Sequence, residues 1–116
     1  MTAIAIEPAH FPWFDYSRYS FSLGLKTPAG VYLSGHTASE YDPVAKRIVV
    51  RGGMTEQVRT AWTKIGAILD AAGLGFENVV RVVESCGWKA LSATWKPPRR
   101  ARKSLARTSR SSIQCR

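Results

Sequence analysis

Two imidazoles, His10 and His36, and two thiols, Cys86 and Cys115, are the side chains of this 116-residue chain that ordinarily titrate nearest neutral pH. Neither cysteine has CxxC or Cys/His ligand spacing, so the sequence offers no zinc site. Two free thiols suit a reducing compartment. Cys86 has no basic partner at a spacing that would activate a thiolate, and is not read as a nucleophile. His36 follows a β-rich run, Val31 to Ser34. Its ordinary pKa range suits general-base work, although a lone His after a strand is more often structural.

The other chemistry is electrostatic. All 8 carboxylates lie in residues 1–84, balanced there by Arg18, Lys26, Lys46, Arg47, Arg51, Arg59, Lys64 and Arg81. Residues 85–116 carry the remaining Lys and Arg and no acid, so the formal charge of +9 resides in that tail. Basic groups interleaved with Trp88 and Trp95 would neutralise phosphates and stack on bases, giving weak, salt-sensitive nucleic-acid binding without sequence preference. No recognition motif accompanies them.

The length fits one domain. No apolar run approaches the roughly 20 residues needed to cross a bilayer. The start, MTAIAIEPAHF, has no basic n-region or long apolar h-region. These features lead to the expectation of a cytoplasmic protein with no membrane association.

The elements that must position any site are concentrated in the neutral part. Ala3 to Ile6 reads as an edge strand, and residues 7–20 as an irregular lead-in of prolines and aromatics. Residues 21–26 alternate apolar and polar, Thr27 to Gly30 is turn chemistry, and residues 31–34 are β-rich, which together read as a hairpin. Tyr41-Asp42-Pro43 marks a turn and residues 47–51 a third strand, broken by Gly52-Gly53.

From Met54, apolar residues recur at Val58, Ala61, Trp62, Ile65, Ile68, Leu69 and Ala72, one face of a helix; Arg59, Thr63 and Lys64 are assigned mostly to the other side. Trp62 is expected in the core or at a subunit contact. Gly73 stands where a helix-ending left-handed residue belongs. Residues 79–83 read as a strand, so strand, helix and strand predict a crossover and a parallel pair. Beyond Glu84 the patterning stops, Pro97-Pro98 blocks a helix, and the composition is one expected to stay disordered.

Residues 19–84 resemble the reactive intermediate deaminase family, also called RidA or YjgF-like. The resemblance is carried by Tyr19-Ser20, Val31-Tyr32-Leu33-Ser34-Gly35, Glu56-Gln57, Leu69-Asp70-Ala71-Ala72-Gly73 and Glu77-Asn78-Val79-Val80-Arg81-Val82, in family order and near-family spacing. It implies an α+β, chorismate-mutase-like (YjgF-like) sheet with helices on one face, its C-terminal part incomplete or disordered here. It also implies a homotrimer with clefts between subunits. In the active branch those clefts hydrolyse enamines and imines such as 2-aminoacrylate, with no metal or organic cofactor. Some members are described as ribonucleases or translation inhibitors. The resemblance makes Tyr19 a cleft-lining residue and places Ser34 and Gly35 at the strand end bordering the cleft. His36, where the family usually has glutamine, completes the ligand-binding candidates.

The chain also departs from the family. No match is present for the late Pro-x-Arg arginine that holds the substrate carboxylate; Pro98-Arg99-Arg100 is an echo in the wrong context. The late cysteine is missing, and no Glu follows Glu84. The resemblance therefore implies an impaired deaminase. The domain reading is a truncated family body over residues 1–84 and a basic tail over 85–116, either disordered or frame-shifted.

The genetic code favours the second origin. Read from each third base onward, Trp88-Lys89 and Trp95-Lys96 each force a glutamate, because Trp is TGG and Lys begins AA. Thr94-Trp95 forces Leu, Met or Val. GC-rich choices elsewhere allow an acidic amphipathic helix, a turn and a strand, which is what the family has next. Sequencing the coding DNA across codons 84–86 is expected to show a one-base slip; an unbroken frame with no family-like alternative would refute it.

Overall fold

The alternation of residues 21–33 builds the first sheet. In the computed structural model, which describes residues 1–83, the strands are β1 (Thr2–Ala3), β2 (Gly24–Thr27) and β3 (Gly30–Leu33), in the order β1-β2-β3 and antiparallel throughout. Leu25 faces Tyr32 and Lys26 faces Val31 across the hairpin, while Thr2 pairs with Lys26 at the edge. The Thr27 hydroxyl cinches the turn: it accepts from the Ala29 N–H at 3.2 Å and donates to the Gly30 carbonyl at 3.0 Å. Gly24 is required by close approach. A Cβ there would lie 2.9 Å from Ile4 Cδ1 and 2.9 Å from Leu33 Cδ2, so a side chain would hold the edge strand off the sheet.

A second hairpin joins β4 (Ser39–Asp42) to β5 (Arg47–Val50), with Glu40 opposite Val49 and Tyr41 opposite Ile48. Sequence reading finds β5 but takes Tyr41-Asp42-Pro43 for turn alone. Asp42 does both jobs. It ends β4, and its Oδ1 accepts from the N–H groups of Val44 and Ala45 at 2.9 and 3.0 Å, folding the loop back. Lys46 completes that loop at φ 52°.

The helix α1 spans Met54–Ala71, close to the expected limits. Gly73, at φ 76°, turns the chain away, its N–H bonding the Asp70 carbonyl at 3.0 Å. Ile68, fully buried on α1, packs with Leu23, Ile4, Ile6 and Phe11, and Val31, Leu33 and Ala67 close around them. The helix thus covers the first sheet, the arrangement expected of an α+β domain. Trp62 is buried, consistent with a core role.

Three sequence readings need amendment. Residues 7–20 are irregular and mostly exposed, as expected, but Phe11 is buried in the core and Trp13, Phe14 and Tyr16 pack against it. Phe11, 2% exposed, meets Trp13, Phe14 and Tyr16 edge-on at centroid distances of 5.0, 5.4 and 6.1 Å. The Tyr16 hydroxyl buckles this segment onto Ile6, accepting from its N–H at 2.9 Å and donating to its carbonyl at 3.0 Å. Proline and aromatic content conceals such packing because the contacts follow neither strand nor helix period.

Lys64 is the second correction. It is 0% exposed, not on the solvent side of α1. Its spacing from Ala61 and Ile68 puts it inside the apolar stripe, and its charge had argued for the opposite face. Third, residues 79–83 form no ladder among the described residues, so the expected parallel crossover is not seen there. Strand propensity supplies a backbone that can pair but not the partner that makes it a strand.

The chain divides into a unit Met1–Gly73 and a second beginning at Leu74. In the second, the described residues contain the short turn Phe76–Asn78, where Asn78 Oδ1 accepts from the Gly75 N–H at 2.9 Å. The basic segment 85–116, with Cys86, Cys115, Trp88 and Trp95, lies outside the described residues.

Replacing Phe11 by Ala removes the ring on which three others rest. The expected loss is about 3–5 kcal/mol, to be read as a lowered midpoint in urea unfolding of the full chain.

Candidate functional site

The end of β3 carries three of the four ligand-binding candidates. Hairpin pairing continues past Leu33: the Ser34 N–H donates to the Leu23 carbonyl at 3.0 Å, and Ser34 Oγ donates to the Ser22 carbonyl at 2.5 Å. The Ser34 hydroxyl proton is thereby committed to backbone, leaving the oxygen's lone pairs for a ligand. Gly35 is exposed, and nothing lies within 4 Å of the place a Cβ would occupy. The chain then turns inward at His36.

His36 is half-buried against the edge of Phe11, with centroids 6.3 Å apart. Its Nε2 is shut off from solvent with no hydrogen-bond partner among the described residues. Burial is the main cause holding its pKa below the ordinary 6.5, the Leu23 carbonyl opposes this, and the Lys64 charge adds to it. The imidazole is therefore neutral at physiological pH.

Tyr19 lies at the far end of the same aromatic band. It is half-exposed, with its ring 6.1 Å from Phe14 and 5.7 Å from Phe21, and Phe14 in turn rests on Phe11. Tyr19 and His36 thus stand at opposite ends of a continuous run of rings through Phe14 and Phe11. The structure joins them by packing, and joins Ser34 and Gly35 to His36 by the chain.

Lys64 is the residue that sequence reasoning missed. From α1 its Nζ donates to the Thr37 carbonyl at 2.9 Å and to the Ser39 carbonyl. The same ammonium lies 5.3 Å from the Phe14 ring centre and 5.9 Å from that of Trp13, both within cation–π reach. Burial pushes its pKa from 10.5 down to about 8, opposed by the carboxylate of Glu40. The available signal was the i, i+3, i+4 register with Ala61 and Ile68.

Arg51 gathers the acids of the second hairpin. It pairs with Glu40 at 3.0 Å and with Asp42. The Asp42 carboxyl is held below its ordinary pKa first by the Ala45 and Val44 N–H groups and then by Arg51. These pairs are largely exposed and add little to stability. Among the described residues no group of three His, Cys, Asp or Glu could hold a metal, and no helix is long and apolar enough to cross a membrane.

An antiparallel hairpin sheet covered by one long helix, with a second hairpin beside it, defines an α+β protein. The crystal structure of RidA from the Antarctic bacterium Psychrobacter has this fold, with a TM-score of 0.53 at 20% identity over 84% of this chain and 71% of that one. The family model described as Endoribonuclease L-PSP matches residues 16–84. The chain belongs to that family, the RidA or YjgF-like proteins. It is 38% identical over 61 residues to the 2-iminobutanoate/2-iminopropanoate deaminases of goat (Capra hircus) and cattle (Bos taurus). The match spans 53% of this chain and 42% of each relative's length.

The buried lysine has a measurable pH signature. Between about 8 and 10.5 the unfolded chain holds a proton on Lys64 that the folded chain gives up, so stability climbs as pH rises through that window. Chemical denaturation across this range should show the climb in the wild type and lose it in Lys64→Met.

Proposed function

We propose that this chain carries the imine-handling half of a deaminase site and works on small enamine or imine metabolites of the 2-aminoacrylate type. The observation that carries the reading is that the family match over residues 16–84 contains Tyr19, Ser34, Gly35 and His36 together. In such hydrolysis water adds to the C=N carbon, the nitrogen takes up a proton, and ammonia leaves as the carbonyl forms. Hydroxyl oxygens with free lone pairs suit the handling of those protons, while His36, its Nε2 shut off from solvent, backs the edge from within.

Turnover is low in this reading. The sequence has no match to the family's substrate-holding arginine or late glutamate, which supports a weak hold on the substrate carboxylate. The same lack favours a second reading, a non-catalytic module that binds the metabolite at the same edge. The family resemblance supports a homotrimer with the edge at a subunit cleft, in the cytoplasm. The basic charge of residues 85–116 supports weak nucleic-acid binding as a side property.

Ammonia release from freshly generated 2-aminoacrylate separates the two readings. The deaminase reading expects a rate above the uncatalysed one that falls at least about tenfold in Tyr19→Ala, the order of effect for a lost positioning contact. Saturable binding without ammonia release establishes the module instead. Sedimentation of the same sample reports the trimer. Nucleic-acid binding that persists after removal of residues 85–116 would contradict its assignment to the tail.

A further inference from the structure

We propose that Lys64 is the positioning residue of the Ser34–Gly35–His36 edge, and that its grip is released when His36 takes up a proton. Calling that edge a ligand site rests on the functional reading above; the latch itself does not. It is built from a cation on α1 and two carbonyls on the segment just past His36. The ammonium donates to the carbonyls of Thr37 and Ser39, on either side of the bend at Ala38. Thr37 stiffens the stretch, its Oγ1 donating to Ser39 Oγ at 2.9 Å and accepting from the Ser39 N–H at 3.3 Å. The rings of Phe14 and Trp13 close over the cation, and Phe11, which packs against both, also carries His36. One aromatic wall therefore serves the lysine and the histidine.

The surroundings of His36 make this arrangement charge-sensitive. From α1 it faces Lys64, from the start of the hairpin the Leu23 carbonyl, and from the N-terminal segment the uncharged Phe11 ring. Glu40, on β4, acts on Lys64 and is itself engaged by Arg51. A proton on His36 adds a second positive charge beside the buried ammonium. On Nε2 it would also leave an N–H in a dry place with no acceptor among the described residues. Moving residues 36–39 away from α1 relieves both costs. The sign follows from the lowered pKa of His36: the closed form is favoured above the ordinary histidine value and is lost as pH falls through the lowered one.

Amide hydrogen exchange and histidine titration by NMR on the full chain test the latch. The His36 resonance, identified by its loss in His36→Gln, is expected to titrate below 6.5. Exchange at Ala38 and Glu40, corrected for its intrinsic pH dependence, is expected to quicken between about pH 7 and about pH 5. His36→Gln should abolish that acid response, and Lys64→Met should shift the His36 midpoint upward. An unchanged acid response in His36→Gln, or none in the wild type, overturns the proposal. A His36 midpoint unmoved in folded Lys64→Met overturns it as well; should that variant fail to fold, the His36→Gln comparison decides. Neither readout depends on ammonia release, so failure of the deaminase reading and failure of the latch are distinguishable.

Discussion

A lysine ammonium enclosed by protein must find oxygen, and this requirement organises much of the molecule. Lys64 extends from the core-facing stripe of α1, so its charge cannot reach water by snorkelling. It is satisfied by the carbonyls of Thr37 and Ser39 and by the faces of Trp13 and Phe14. Removing the cation would leave those two carbonyls without their donor, and removing the carbonyls would leave a buried charge; either loss is costly. The segment between the two hairpins is held in one place by this mutual need.

The aromatic segment before the first hairpin supplies the other half of that environment. Phe11 is the hub, with Trp13, Phe14, Tyr16 and His36 set edge-on around it. Edge-to-face contacts fix ring orientation as well as burying area, each contributing about 0.5–1.5 kcal/mol beyond burial. The Tyr41 N–H donates to the Trp13 carbonyl at 2.6 Å, so the same segment that fills the core also seats the second hairpin. Core and candidate site share side chains, and a change in one is transmitted to the other through packing.

Family membership rests on the patterned body of the chain. The hairpin, the helix and the edge formed by Ser34, Gly35 and His36 fall within the matched residues 16–84. A fold of this kind can persist while the groups that perform its chemistry change. Here the edge presents the Ser34 hydroxyl, bonded to the Ser22 carbonyl, and a neutral imidazole at His36.

Patterned segments were legible from sequence because period follows directly from backbone geometry. Alternation marked the β2–β3 hairpin, the three-and-four spacing marked α1, and Gly73 marked its end. Order and spacing of short motifs likewise pointed to the family. Tertiary structure decided what periodicity does not encode. It drew Phe11 out of an irregular aromatic stretch into the core, paired the polar strand β4 with β5, and left residues 79–83 without a ladder among the described residues. It also placed Lys64 beneath two rings. A lysine's charge favours solvent when considered alone, and only the arrival of carbonyls from 25 and 27 residues away makes burial tolerable.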